Sequence, residues 1–215
     1  MNLKKEIPLL AILLLPFLYI AFIWNKLPQK IPMHWNIEGE VDRYGEKIEI
    51  LLILIMLPMF VYFIFSVIPK IDPKKKLNNM GKKLQTLKFL VTSLMSALAL
   101  FIIYSSQNKT AANPTFIFVF VGILYVVLGN YFKTIKANYF IGIRTPWTLE
   151  SESIWKETHL LAGKLWLSGG LLIVISSLFL DEKFNVVLFL IITGIITIIP
   201  AIYSFLLFKR ESKIG

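Results

Sequence analysis

Six stretches of the chain, residues 7–24, 48–68, 87–104, 116–132, 160–180 and 186–208, are apolar for about twenty residues each with few interruptions. At 1.5 Å of helical rise per residue such a stretch measures about 30 Å, the thickness of the hydrocarbon core of a bilayer. The apolar residues come as blocks and not at every second or every third to fourth position, so each block is apolar all round and suits lipid rather than one face of a soluble core. Backbone amides in lipid find no water, so a block of this length folds as a helix whose hydrogen bonds close within it. The expected fold class is therefore all-α: a polytopic helical membrane protein of about six transmembrane helices. Pro16, Pro58 and Pro200 fall inside blocks, where each removes a donor and is expected to kink its helix. Trp24, Trp35, Tyr131, Trp147 and Trp155 fall near block ends, where aromatic rings favour the headgroup region.

Charge orients the spans. Charged residues make up 17% of the 215 residues, and the formal net charge is +10. Alternate connections sort fifteen Lys and Arg residues to the side of the termini and six to the other side, leaving Lys88 and Lys164 within spans. The positive-inside rule then places both termini in the cytoplasm. The same asymmetry accounts for the basic excess. No loop offers a folded basic module, so direct nucleic-acid binding is not expected. The chain has no cysteine, which excludes disulfides, cysteine-based zinc sites and thiol catalysis. The first block reads as an uncleaved span, because it runs on to Trp24 without a small-residue cleavage site. The basic segment 70–83 reads as solvated and drawn to anionic lipid, and the sequon Asn108-Lys109-Thr110 carries no weight. Two membrane units are expected: residues 1–84, with two spans and an outward loop at 27–47, and residues 85–215, with four spans and a cytoplasmic motif loop at 133–158.

Two connections hold residues beyond what a linker needs. In the outward loop, Pro28 and Pro32 bias Leu27 and Ile31 toward extended backbone, Gly39 permits a turn, and Asp42 is placed to cap or to pair with Lys47. An ordered interfacial hairpin is expected there, with His34, Trp35, Asn36 and Asp42 as candidate ligand-facing residues. A metal at His34 is not expected, because the one other histidine falls on the opposite side. In the inward loop, Thr145 and Pro146 form a helix start, as N-cap and first helical residue, and Thr148 before Glu150 and Glu152 is a second candidate cap. From there Glu152, Trp155, His159, Gly163 and Trp166 recur at three- and four-residue steps and share one helix face. Arg144 has Glu150 and Glu152 within sequence reach as ion-pair partners. Ser153-Ile154-Trp155-Lys156 matches the Ser-x-x-Lys pattern of acyl-transfer enzymes, but no companion motif follows and catalysis is not expected. No cofactor is expected either.

These two segments carry a family resemblance. Leu27-Pro28, Ile31-Pro32-Met33-His34-Trp35-Asn36, Gly39 and Asp42 resemble the N-terminal conserved-loop membrane domain, of unknown function, found in SdpI-type proteins. Gly142-Ile143-Arg144-Thr145-Pro146-Trp147-Thr148-Leu149, followed by Glu152 and Trp155-Lys156, resembles the hallmark of the SdpI immunity-protein family. The resemblance implies a bacterial cell-membrane protein that protects against a secreted peptide toxin. It also implies a receptor that draws an ArsR-like transcriptional repressor to the membrane. On that reading the informative residues are Arg144, Thr145, Pro146, Trp147 and Glu152, with Trp155 and His159 beside them, and Lys133, Lys136 and Trp147 are expected to serve a cytoplasmic partner. The alternative is a small transporter for a peptide, lipid or ion. Against it, Glu49, Lys88 and Lys164 all lie near predicted span ends, where they can snorkel, whereas transporters place ionisable groups near the bilayer midplane.

Overall fold

A computed structural model describes residues 3–107, apart from 37, 39 and 74, and residues 115–212. Gly39 and the Asn108–Thr110 sequon lie outside the described residues. Among those described, six helical segments are long and apolar enough to span a membrane: Glu6–Lys26, Glu49–Ile71, Lys82–Gln107, Thr115–Phe132, Glu152–Phe179 and Glu182–Glu211. All six expected spans are present. The third and fifth begin several residues earlier than their apolar blocks, because polar first turns extend a helix that hydropathy alone truncates.

The elements run α1 (Leu3–Ile23), β1 (Lys30–Trp35), β2 (Val41–Glu46), α2 (Glu49–Leu54), α3 (Phe60–Ile71), α4 (Lys82–Gln107), α5 (Thr115–Phe132), α6 (Pro146–Glu150), α7 (Glu152–Phe179) and α8 (Glu182–Glu211). α2 and α3 are one span joined by a π-helical turn at Ile55–Met59. Pro58 lies in that turn and has no N–H to give, so a widened turn absorbs the lost bond. Pro16 and Pro200 are carried within α1 and α8.

The outward loop is a β-hairpin, the one sheet among the described residues. Lys30 faces Glu46 and Ile31 faces Gly45, with irregular register around His34. Lys30 Nζ donates to Glu46 Oε1 at 2.5 Å, and that bond holds the ammonium above its ordinary pKa. Ile31 turns inward, 1% exposed, into a cluster with Ile20, Ile23, Ile50, Leu54 and Ile103. This apolar anchor pins the hairpin to the outer ends of α1, α2 and α4. Asp42 accepts from His34 Nδ1 at 2.6 Å, while Lys47 donates to the Trp24 carbonyl at 2.9 Å. The expected Asp42–Lys47 pair therefore gives way to a cross-strand partner, since the irregular register, with His34 opposite Arg43 and Trp35 opposite Val41, leaves Asp42 beside the His34 ring.

α4 packs against α1 and the π turn and touches α5, while α7 lies between α5 and α8. Gly122 and Gly129 of α5 meet Gly170 and Gly163 of α7 backbone to backbone. Without a hydrophobic force between helices in lipid, such small-residue seams let main chains approach for van der Waals contact. Gly169, next in sequence to Gly170, faces Ile192 and Ile196 of α8.

Orientation is checked by reporter fusions. Those after Lys76 and after Arg144 are expected to report cytoplasm, and one after Asp42 the outside; a cytoplasmic signal after Asp42 would reverse the assignment of faces.

Candidate functional site

The inward motif folds as a rigid elbow between α5 and α7. Asn138, 1% exposed, is its first clamp. Its Oδ1 accepts from the backbone N–H of Phe140 and Ile141 at 2.8 and 2.7 Å, and its Nδ2 donates to the carbonyls of Lys136 and Ile141. Gly142 then takes a φ of +114°, and a Cβ there would sit 2.5 Å from His159 Nε2. Only glycine suits that position, on backbone and on space. The turn delivers the Ile143 N–H to His159 Nε2 at 3.0 Å, while His159 Nδ1 lies 2.7 Å from the Trp155 carbonyl. One ring nitrogen accepts and the other donates, so His159 is held as the Nδ1-protonated tautomer. Trp155 stacks on the imidazole at 4.0 Å and donates from Nε1 to the Ile135 carbonyl at 2.7 Å.

Thr145 and Pro146 start α6 as expected, but Thr148 closes the same cap rather than opening a second. Thr148 N–H donates to Thr145 Oγ1 at 3.3 Å, and the Thr145 N–H donates to Thr148 Oγ1 at 2.8 Å. The cap of α7 is Ser151, whose Oγ accepts from the Ile154 N–H at 3.2 Å. Trp147 leans on α8, with its ring 5.2 Å from Phe205 and Nε1 donating to Ser204 Oγ at 2.5 Å.

The expected pairing of Arg144 with Glu150 or Glu152 is replaced. Arg144 Nη1 donates to the Tyr139 carbonyl at 2.6 Å, and Glu152 forms an ion pair with Lys76. The reversal at Gly142 sends the guanidinium back along the loop, and the basic segment before α4 docks on the start of α7. That segment is thus partly built into the elbow rather than wholly solvated. Trp155 and His159 meet; Glu152 joins a different loop; Arg144 and Pro146 face solvent. Asn138, Gly142, Ser151 and Ser204 take roles that local sequence does not announce, although Asn four residues before Gly is a turn signal visible in the sequence.

On the outer side a cleft of 290 Å³ opens between the hairpin and the ends of α5 and α8, lined by Met33, His34, Trp35 and Asn36 with Phe118 and Glu182 among the facing groups. Asn36 Oδ1 accepts from the N–H groups of Glu38 and Glu40 at 3.1 and 2.8 Å, which fixes the hairpin tip. Of the four outer candidates, His34, Trp35 and Asn36 line the cleft, and Asp42 holds the His34 ring. An indole, a phenyl ring and a carboxylate facing one space suit an amphipathic, cationic ligand.

Lys88 corrects a further expectation. It is 6% exposed and does not snorkel. Its Nζ lies 2.8 Å from Glu6 Oε2 and 4.0 Å from the centre of the Tyr62 ring, and Tyr62 Oη donates to the same carboxylate at 3.3 Å. The pair lies between α1, α3 and α4 at the inner ends of their spans.

Residues 134–204 match the SdpI/YfhL protein family, and residues 11–57 match a domain of unknown function (DUF1648). The immunity protein SdpI of Bacillus subtilis (strain 168) is 24% identical over 208 residues, spanning 96% of this chain and 97% of that protein. No solved structure matches significantly. The six membrane-capable helices and this full-length similarity make the protein a multi-pass plasma-membrane protein. The elbow from Thr134 through His159 to Ser204 falls inside the region that matches the SdpI/YfhL protein family, and the similarity to the immunity protein runs through both matched regions.

Proposed function

We propose that this protein gives its cell immunity to a secreted antimicrobial peptide, engaging the peptide at the outer cleft. The observation that carries the reading is that the cleft is shared by both family segments: Met33 to Asn36 come from the first and Glu182 and Val186 from the second. The similarity to a protein named for immunity supports it. Trp35 and Phe118 supply apolar contact, and Glu182 supplies charge for a cationic peptide.

The experiment is survival of a sensitive host expressing each variant under challenge with a panel of membrane-active peptides, at equal expression by blot. Wild type is expected to protect. Trp35→Ala is expected to weaken peptide engagement by roughly 2 kcal/mol, about thirtyfold in affinity, and to cut protection accordingly. His34→Ala is expected to act in the same direction. Protection unchanged in both variants would remove the cleft from the mechanism. No protection by wild type against any peptide, together with solute movement in vesicles, would replace immunity by transport, which the buried Lys88–Glu6 pair would then serve.

We propose further that the inward face recruits an ArsR-like repressor to the membrane. Trp147 is occupied by α8, so the groups offered to such a partner are the exposed Lys133, Lys136, Arg144, Pro146 and Glu150 around the elbow. Membrane localisation of a fluorescent repressor, scored beside survival, separates this role from protection.

A further inference from the structure

At the inner face a cleft of 530 Å³ lies where the end of α5, the start of α7 and the segment leading into α4 come together. Five lysines line it (Lys76, Lys83, Lys133, Lys136 and Lys156) against one carboxylate, Glu152, which Lys76 already engages. Among the described residues Lys83, Lys133, Lys136 and Lys156 have no ion-pair partner. Phe132, Ile135 and Trp155 are buried beside them in one apolar cluster. The cleft therefore joins a cationic rim to an apolar floor.

We infer that this cleft is a binding site for the phosphate-bearing headgroup of an anionic phospholipid of the inner leaflet. Ammonium groups gathered round one space repel each other, and an anion between them turns that repulsion into attraction. Lysine binds phosphate as a point charge and needs no fixed fork, so flexible stems on a rim suit a headgroup that tumbles. Depth selects the lipid over a soluble anion or an acidic peptide. The rim lies where α5 ends at Phe132 and α7 begins at Glu152, at the inner boundary of two spans, where headgroup phosphates reside. The apolar floor offers the glycerol and upper acyl carbons a surface that inorganic phosphate does not need. The Lys76–Glu152 pair closes one wall and fixes the α4 segment against α7. The site is independent of whether the outer cleft meets a toxin.

The test uses the full chain and native mass spectrometry after reconstitution in phosphatidylcholine nanodiscs with and without phosphatidylglycerol. Wild type is expected to retain phosphatidylglycerol in preference to phosphatidylcholine. Lys133→Gln/Lys136→Gln is expected to lose retention by roughly fivefold per lysine, about 25-fold in all. The charge-matched Lys209→Gln/Arg210→Gln pair at the end of α8, outside the cleft's lining, is expected to keep it. Far-UV circular dichroism and thermal unfolding in phosphatidylcholine confirm that each variant folds. Equal loss in both double variants would reduce the effect to general surface charge and overturn the site. Binding of inorganic phosphate or of an acidic peptide at the cleft, with no preference between the two lipids, would overturn the lipid assignment.

Discussion

Lys88→Ala is expected to lower the stability of the purified protein in detergent by about 3–5 kcal/mol, and Glu6→Ala by a similar amount. Each substitution removes one partner of an ion pair whose side chains are 8% and 15% exposed, and leaves the other charge without its counterpart between α1, α3 and α4. The position is close to lipid as well. Lys88 lies six residues into α4, about 9 Å along the helix, so a stranded carboxylate or ammonium is far from bulk water. The double variant Glu6→Leu/Lys88→Met removes both charges and keeps most of the volume. It is expected to recover most of the loss, because the attraction within a buried pair does little more than offset its desolvation. Tyr62→Phe keeps the ring against the ammonium and removes one hydrogen bond to Glu6, for a cost of about 0.5–1.5 kcal/mol. Wild type, Glu6→Leu, Lys88→Met and the double variant form a cycle that thermal unfolding reads. Additive losses, with the double variant no better than the sum of the singles, would show that the two residues do not act as a pair. A double variant that is stable yet gives no protection would move the pair from architecture into function.

The fate of Lys88 shows where sequence reading stops. Its neighbours Leu87 and Phe89 mark the edge of an apolar block, and a lysine at an edge usually snorkels. Its partner is 82 residues away, brought in by the packing of α1 on α4, and no local pattern announces it. The same limit applies to Arg144. Carboxylates at 150 and 152 are near in sequence, but the positive φ at Gly142 turns the loop so that the guanidinium meets the Tyr139 carbonyl. By contrast, the spans, the Thr145-Pro146 helix start and the extended backbone around Pro28 and Pro32 were all legible. Each rests on a rule that acts within a few residues: hydrocarbon thickness, a cap, or the clash of a proline ring with the preceding residue. The outward loop was read as a hairpin from its turn and prolines, whereas its strand register and the burial of Ile31 depend on α1, α2 and α4. Trp155 and His159 were rightly placed on one helix face. That the face turns inward to hold the elbow, with both imidazole nitrogens engaged, needed the backbone of residues 142–143.

The glycine seam between α5 and α7 carries the other large effect. A Cβ at Gly129 would stand 2.5 Å from the backbone nitrogen of Leu167 and 2.9 Å from the carbonyl oxygen of Gly163; one at Gly170 would stand 2.5 Å from the carbonyl oxygen of Gly122. These neighbours are main chain and cannot rotate away, so the two helices must separate by about 1 Å to restore ordinary contact, and dispersion along the seam falls with the gap. In lipid no hydrophobic force compensates. Gly129→Ala and Gly170→Ala are each expected to destabilise by about 1–3 kcal/mol, and Gly129→Val by more, even though alanine is the better helix former by about 1 kcal/mol. Gly194 in α8 provides the opposite case. Nothing lies within 4 Å of its added Cβ, so Gly194→Ala keeps the propensity gain without the clash and is expected to be neutral or stabilising. Thermal unfolding in detergent of the three alanine variants reads the sign directly. Because the elbow hangs between the inner ends of α5 and α7, separation there also draws Phe132 away from the Trp166 and His159 rings it meets edge-on at 5.0 and 5.7 Å. Tryptophan fluorescence of Gly129→Ala is therefore expected to shift toward a more solvated spectrum, with Gly194→Ala unchanged. Equal behaviour of Gly129→Ala and Gly194→Ala in both measurements would mean that the close approach of the two backbones does not hold the bundle together.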